Sequence, residues 1–112
     1  MGAVRPDSPD LAREQRMPGI AGYANLFKAL SDPLRLRLLE MLPTDGQKRS
    51  FCVCDLAREL GMSQPCLSHH LNILKNAGLV RFAKDGCSVY YYVDREEVLG
   101  KLSAFREQIE ER

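Results

Sequence analysis

The chain carries almost no net charge: 16 Lys and Arg stand against 15 Asp and Glu, a formal balance of +1. Composition therefore names no class of partner, and only the distribution of charge along the fold can do so. Long apolar runs are missing too. The longest, Val89 to Val93, is five residues, against the roughly 20 that a membrane-spanning helix needs. Met1-Gly2-Ala3-Val4-Arg5-Pro6-Asp7 holds no apolar secretory stretch, and Pro6 spoils a myristoylation signal. These absences predict a soluble, cytoplasmic chain with no membrane partner. Internal repeats and low-complexity tracts are absent as well. There is no Cys-x-x-Cys pair, no glycine-rich phosphate loop and no nucleophile elbow, so neither an enzyme nor an organic cofactor is expected.

With 112 residues, 45% of them hydrophobic and 28% charged, the chain is sized for one domain with an ordinary core. So small a domain buries a modest fraction of its surface, and a dimer interface would supplement it. Four cysteines could suggest a disulfide scaffold, but Cys52 and Cys54 are one residue apart and nothing points to an oxidising compartment. In a reducing cytosol such thiols are free, metal-bound or redox-active.

Residues 1–18 have three prolines and no sustained period, which predicts a mobile arm with at most a short helix from Pro9 to Arg16. Residues 19–112 read as the folded domain. Ile20, Tyr23, Leu26, Phe27 and Leu30 fall at helical spacing, and Ser31-Asp32-Pro33 ends that helix and opens the next. Leu34-Arg35-Leu36-Arg37-Leu38 alternates like a strand, but the preceding cap and the continuation to Leu42 favour a helix. Pro43 to Ser50 is a polar loop. Val53, Leu56, Ala57 and Leu60 form the single stripe of a third helix, closed by Gly61. Ser63 caps a fourth, with Pro65 in its first turn, Leu67, Leu71 and Leu74 as its buried stripe, and Gly78 at its end. Two β-rich runs follow, Leu79 to Ala83 and Ser88 to Val93, joined through the hairpin signal Asp85-Gly86. Asp94 to Arg112 is amphipathic, with Val98, Leu99, Leu102, Phe105 and Ile109 on one face.

Two short helices around a glycine turn, then a hairpin, outline a winged helix-turn-helix: mainly α with a β-hairpin wing, in the order ααααββα. The buried stripe of the fourth helix leaves Ser63, Gln64, Pro65, Ser68, His69, Asn72 and Lys75 on or near its outer face, with Lys84 in the wing. Short polar donors and acceptors of this kind suit phosphates and base edges in a major groove. From Ser63 to Val93 the cations Lys75, Arg81 and Lys84 face one anion, Asp85. Double-stranded DNA is the expected partner. His69 is read as facing it, and His70 as packing or hydrogen-bonding near the turn.

Phe27-Lys28-Ala29-Leu30-Ser31-Asp32-Pro33-Leu34-Arg35 resembles the opening of the ArsR/SmtB metal-sensing repressors. Ser63-Gln64-Pro65-Cys66-Leu67-Ser68-His69-His70-Leu71, then Ala77-Gly78-Leu79-Val80, resembles their recognition helix and wing entry, and Asp85-Gly86 with Val89-Tyr90-Tyr91 their wing. The resemblance spans roughly residues 20–110. It implies a homodimer paired through its first and last helices, bound to a two-fold operator and released by an inducer.

Cys52-Val53-Cys54-Asp55-Leu56 is similar to the inducer site of the family's arsenite- and antimonite-responsive members, and to related thiolate sites for cadmium and lead. The expected ligand is accordingly As(III) or Sb(III), or another thiophilic ion such as Cd(II); soft thiolates select such ions over hard cations. Residues two apart on a helix diverge by about 200°, whereas in extended backbone they share a face. Chelation by the pair is therefore expected to favour an unwound or distorted helix start, and so to reorient the fourth helix. Arsenite commonly takes three thiolates, and the third cysteine of one family arrangement is replaced here by Ala57. Cys66 and Cys87 remain for that position. A zinc site between the last helices, known in some relatives, has here only Asp94, Glu96, Glu107 and Glu110 and no histidine, so none is expected. The competing reading is a thiol-redox or reactive-sulfur sensor of the same fold, signalling by oxidation in place of ligation. A Cys52–Cys54 disulfide would be strained, but a bridge to Cys66 or Cys87 stays open.

Overall fold

Asp32 sets the first junction. In the structure, a computed structural model describing residues 20–46 and 51–111, its Oδ1 accepts from the backbone N–H of Leu34 at 2.8 Å and of Arg35 at 3.4 Å. This ends helix α1 (Ile20–Leu30) and starts α2 (Pro33–Met41), with Pro33 in the first turn where no N–H is required. The arm at 1–18, with its suggested helix, and the loop's end at 47–50 lie outside the described residues.

The Leu34 N–H holds the Asp32 carboxyl below the usual carboxylate range; burial opposes this, while the Arg35 N–H and the charges of Arg35 and His70 reinforce it. A depressed folded value means that the ionised cap stabilises above the unfolded pKa of about 3.9 and is lost as pH falls through the folded one. Wild type should therefore lose more of its urea midpoint than Asp32→Asn between neutrality and roughly pH 3. Equal losses would show that the ionised cap contributes nothing.

Helix α3 (Val53–Leu60) buries Leu56 and Ala57, and Gly61 closes it at φ +66°, a left-handed value that suits glycine. Ser63 accepts from Cys66 N–H at 3.2 Å and caps α4 (Gln64–Asn76). Leu67, Leu71 and Leu74 are fully buried with Leu26, Leu38, Leu56, Leu79 and Val80, a core made where α1, α2, α3 and α4 converge under the hairpin. Burying each such side chain is worth about 1.5–3 kcal/mol.

Strands β1 (Val80–Asp85) and β2 (Ser88–Val93) pair antiparallel from Val80↔Val93 to Asp85↔Ser88. The first strand runs two residues past the expected Ala83, so the connection is Gly86-Cys87 and not Asp85-Gly86. Of these two, only Gly86 has positive φ (+64°), which matches a II′ turn, where glycine comes first, and not the I′ turn that an Asp-Gly pair suggests. Val93 N–H donates to Pro43 O at 2.8 Å and Asp94 N–H to Leu79 O at 2.9 Å, tying the hairpin's base to the body.

Helix α5 (Arg95–Glu110) is capped by Asp94, which also pairs with Arg81 Nε at 2.7 Å. No residue of α5 is buried: Leu99, Leu102 and Ile109 are 38–50% exposed, as are Ile20 and Phe27 on α1 at 43% and 41%. Phe105 meets Tyr23 and Phe27 edge to face, at 5.3 and 5.0 Å between centroids. The first and last helices thus touch and leave an apolar band uncovered. Among the described residues no helix is long and apolar enough to cross a membrane.

Candidate nucleic-acid interface and thiolate site

The residues expected to face DNA share one surface. Ser63, Gln64, Pro65, Ser68, His69 and Asn72 are all exposed, opposite the buried leucine stripe of α4. Lys75 is half-buried, its Nζ 5.3 Å from the centre of the Phe82 ring, and so braces the helix against the wing. Lys84 and Arg81 are exposed on β1.

His70 turns the other way. Its Nδ1 lies 3.1 Å from a terminal nitrogen of Arg35, and a guanidinium only donates, so Nδ1 is the acceptor. Arg35 Nε donates to Ala29 O at 2.7 Å and its other terminal nitrogen to Lys28 O at 3.2 Å. One side chain on α2, 12% exposed, thus clamps the carbonyl end of α1 and a ring on α4. The sequence places Arg35 on the second helix and within a family motif, and neither signals this role.

The cysteine pair is already assembled. Cys52 is the N-cap of α3, with extended backbone (φ −73°, ψ 165°), and forms an antiparallel bridge with Tyr90 of β2. Cys54 sits in the first turn. The two sulfurs are 3.1 Å apart, beyond bonding distance and within reach of one ion. Cys52 lies outside the helix in extended backbone, so the 200° divergence does not apply to the pair, and no unwinding of α3 is needed to bring the two sulfurs together. Asp55 completes a trio whose ligand atoms lie within 4.8 Å of one another, although its carboxylate is also 3.2 Å from Arg58. The Asp55 N–H lowers the Cys52 pKa, but the Cys54 thiol, the Asp55 carboxyl and burial outweigh it and leave the thiol above its ordinary range.

A groove of about 370 Å³ runs past the pair, lined by Cys52 and Cys54 at the start of α3, Gln64 and Ser68 from α4, and Cys87, Ser88, Val89 and Tyr91 from the wing. Cys87 therefore shares a wall with the pair, while Cys66, exposed on α4, does not. No spacing rule links the wing turn to the start of α3; the Cys52↔Tyr90 bridge does. At the two ends of the last helix, Asp94 and Glu110 are engaged with Arg81 and Arg106.

A helix-turn-helix whose second helix turns its polar face outward, followed by a two-stranded wing, defines a winged-helix DNA-binding regulator. The model of the "Bacterial regulatory protein, arsR family" matches residues 32–81. The chain is 41% identical to the arsenical resistance operon repressor of Bacillus subtilis, over 72% of this chain and 74% of that protein. To a cadmium resistance transcriptional regulatory protein CadC homolog of Staphylococcus aureus it is 40% identical, over 80% of this chain and 68% of that one. Among solved structures, an ArsR-like transcriptional regulator from Rhodococcus sp. RHA1 superposes with a TM-score of 0.65 at 32% identity, covering 80% of this chain and 77% of that one. The chain belongs to the ArsR family of transcriptional regulators, which are DNA-binding proteins and not enzymes.

Proposed function

We propose that this chain is a homodimeric repressor that leaves its operator when trivalent arsenic or antimony, or another thiophilic ion such as Cd(II), is bound by Cys52 and Cys54. The observation that carries the reading is the 3.1 Å sulfur pair at the N-cap of α3, on a groove shared with the first turns of the recognition helix. With metal–sulfur bonds of about 2.3 Å, a right-angled S–M–S unit spans about 3.3 Å and a tetrahedral one about 3.8 Å. A small opening of the pair reaches either span. That relatives are named for arsenical and cadmium resistance is in keeping with this.

In this reading Ser63, Gln64, Pro65, Ser68, His69, Asn72 and Lys75 of the recognition helix, with Lys84 of the wing, contact phosphates and base edges. Gln64 and Ser68 belong to both surfaces, so a ligand in the groove acts directly on groups that DNA requires. Two copies paired through the uncovered band of α1 and α5 would present two recognition helices to a two-fold operator.

The test is fluorescence anisotropy of the protein on its own promoter DNA, titrated with arsenite under reductant. Wild type should release the DNA, and Cys52→Ser/Cys54→Ser should bind it as tightly and hold it at every arsenite concentration. Release from the double variant would overturn the assignment.

A further inference from the structure

The pair supplies two sulfurs, and a pyramidal metalloid takes three ligands. We infer that Cys87, in the turn of the wing, is the third, so that the bound metalloid ties the wing to the start of α3; this rests on the function proposed above. Three observations converge on it. Cys87 lines the same groove as Cys52 and Cys54. The antiparallel Cys52↔Tyr90 bridge holds the start of α3 against β2, three residues along the chain from Cys87. Finally, Cys87 lies beyond the last strand pair, Asp85↔Ser88, and is exposed. It can therefore swing inward without breaking the ladder.

The competing donors fit less well. Asp55 is near enough to both sulfurs, but its carboxylate is a hard ligand and a soft metalloid prefers thiolate. Cys66 stands on a regular turn of α4 beside the fully buried Leu67 and does not line the groove, so bringing it in would require moving the recognition helix off its core.

The reaction is ligand exchange without electron transfer. Three As–O bonds of As(OH)₃ break, three As–S bonds form, and the three thiol protons leave with the hydroxides as three waters. The third bond draws the wing turn across the groove toward Gln64 and Ser68, removing the wing and the first turn of α4 together from the surface offered to DNA. A two-sulfur adduct would leave the wing where it is.

X-ray absorption at the arsenic edge of the full chain loaded with arsenite tests this. Three As–S contacts are expected in wild type, Cys66→Ser and Asp55→Asn, and two As–S with one As–O in Cys87→Ser. Arsenite should bind Cys87→Ser at least about tenfold more weakly, the loss of one chelating arm. The altered residue is an exposed turn position, so an unchanged urea midpoint confirms that the fold is retained. Three sulfurs in Cys87→Ser, or two in wild type, would overturn the inference while leaving the pair intact as the inducer site. Arsenite binding undiminished in Cys52→Ser/Cys54→Ser, or absent in wild type, would overturn the underlying reading and this one with it.

Discussion

Replacing Arg35 by alanine is expected to destabilise the protein by about 2–4 kcal/mol, a large share of the 5–15 kcal/mol typical of a domain. The side chain is nearly enclosed and makes three contacts at 2.7 to 3.2 Å, to Ala29 O, Lys28 O and His70 Nδ1. Its loss removes a donor from Ala29 O and from a ring on the recognition helix, while Lys28 O keeps its bonds from Ser31. Lysine should restore less than half of the loss, because one ammonium cannot reproduce three divergent N–H directions. Urea denaturation at fixed protein concentration measures both variants; an alanine variant within about 0.5 kcal/mol of wild type would show that the clamp is incidental. Since the ring belongs to α4, operator affinity should fall in Arg35→Ala even where the protein is fully folded.

The second large effect concerns assembly. Leu99→Glu/Leu102→Glu places two charges in the apolar band, at positions that are 50% and 38% exposed in the single chain. The isolated fold should tolerate them, whereas a dimer formed through this band should not, because it would bury unpaired carboxylates. Sedimentation is expected to show half the wild-type mass. Operator affinity should fall about a hundredfold or more, because each recognition helix must then bind its half-site alone. An unchanged mass, whether of one chain or two, would contradict assembly through this band.

The parts of the fold legible in the sequence are those whose chemistry is local. Asp32-Pro33, Ser63 with Pro65, Gly61 and Gly78 each mark a helix end through a cap, a missing N–H or a left-handed backbone, and each stands where expected. The stripe Leu67, Leu71, Leu74 identified the inner face of α4, and hence its outer face, by period alone. Legibility failed where distant segments meet. The alternation of Leu34 to Leu38 says nothing of Arg35 reaching a ring 35 residues away. Cys52 and Cys54 could be recognised as a pair, but the helical rule made them diverge. What brings them together is the bridge to Tyr90, which fixes Cys52 in extended backbone just outside α3. That contact also brings the wing turn to the pair. It depends on strand register, which the Asp85-Gly86 signal misplaced by one residue at the turn.

If a metalloid at Cys52 and Cys54 drives the protein off DNA, the coupling must run in both directions with one factor. The decisive measurement is the arsenite affinity of the protein, followed by thiolate-to-arsenic absorbance, first free and then with saturating operator DNA. Operator should weaken arsenite binding by the same factor by which arsenite weakens operator binding, at least about tenfold. Equal arsenite affinities with and without DNA would contradict a thiolate-gated repressor.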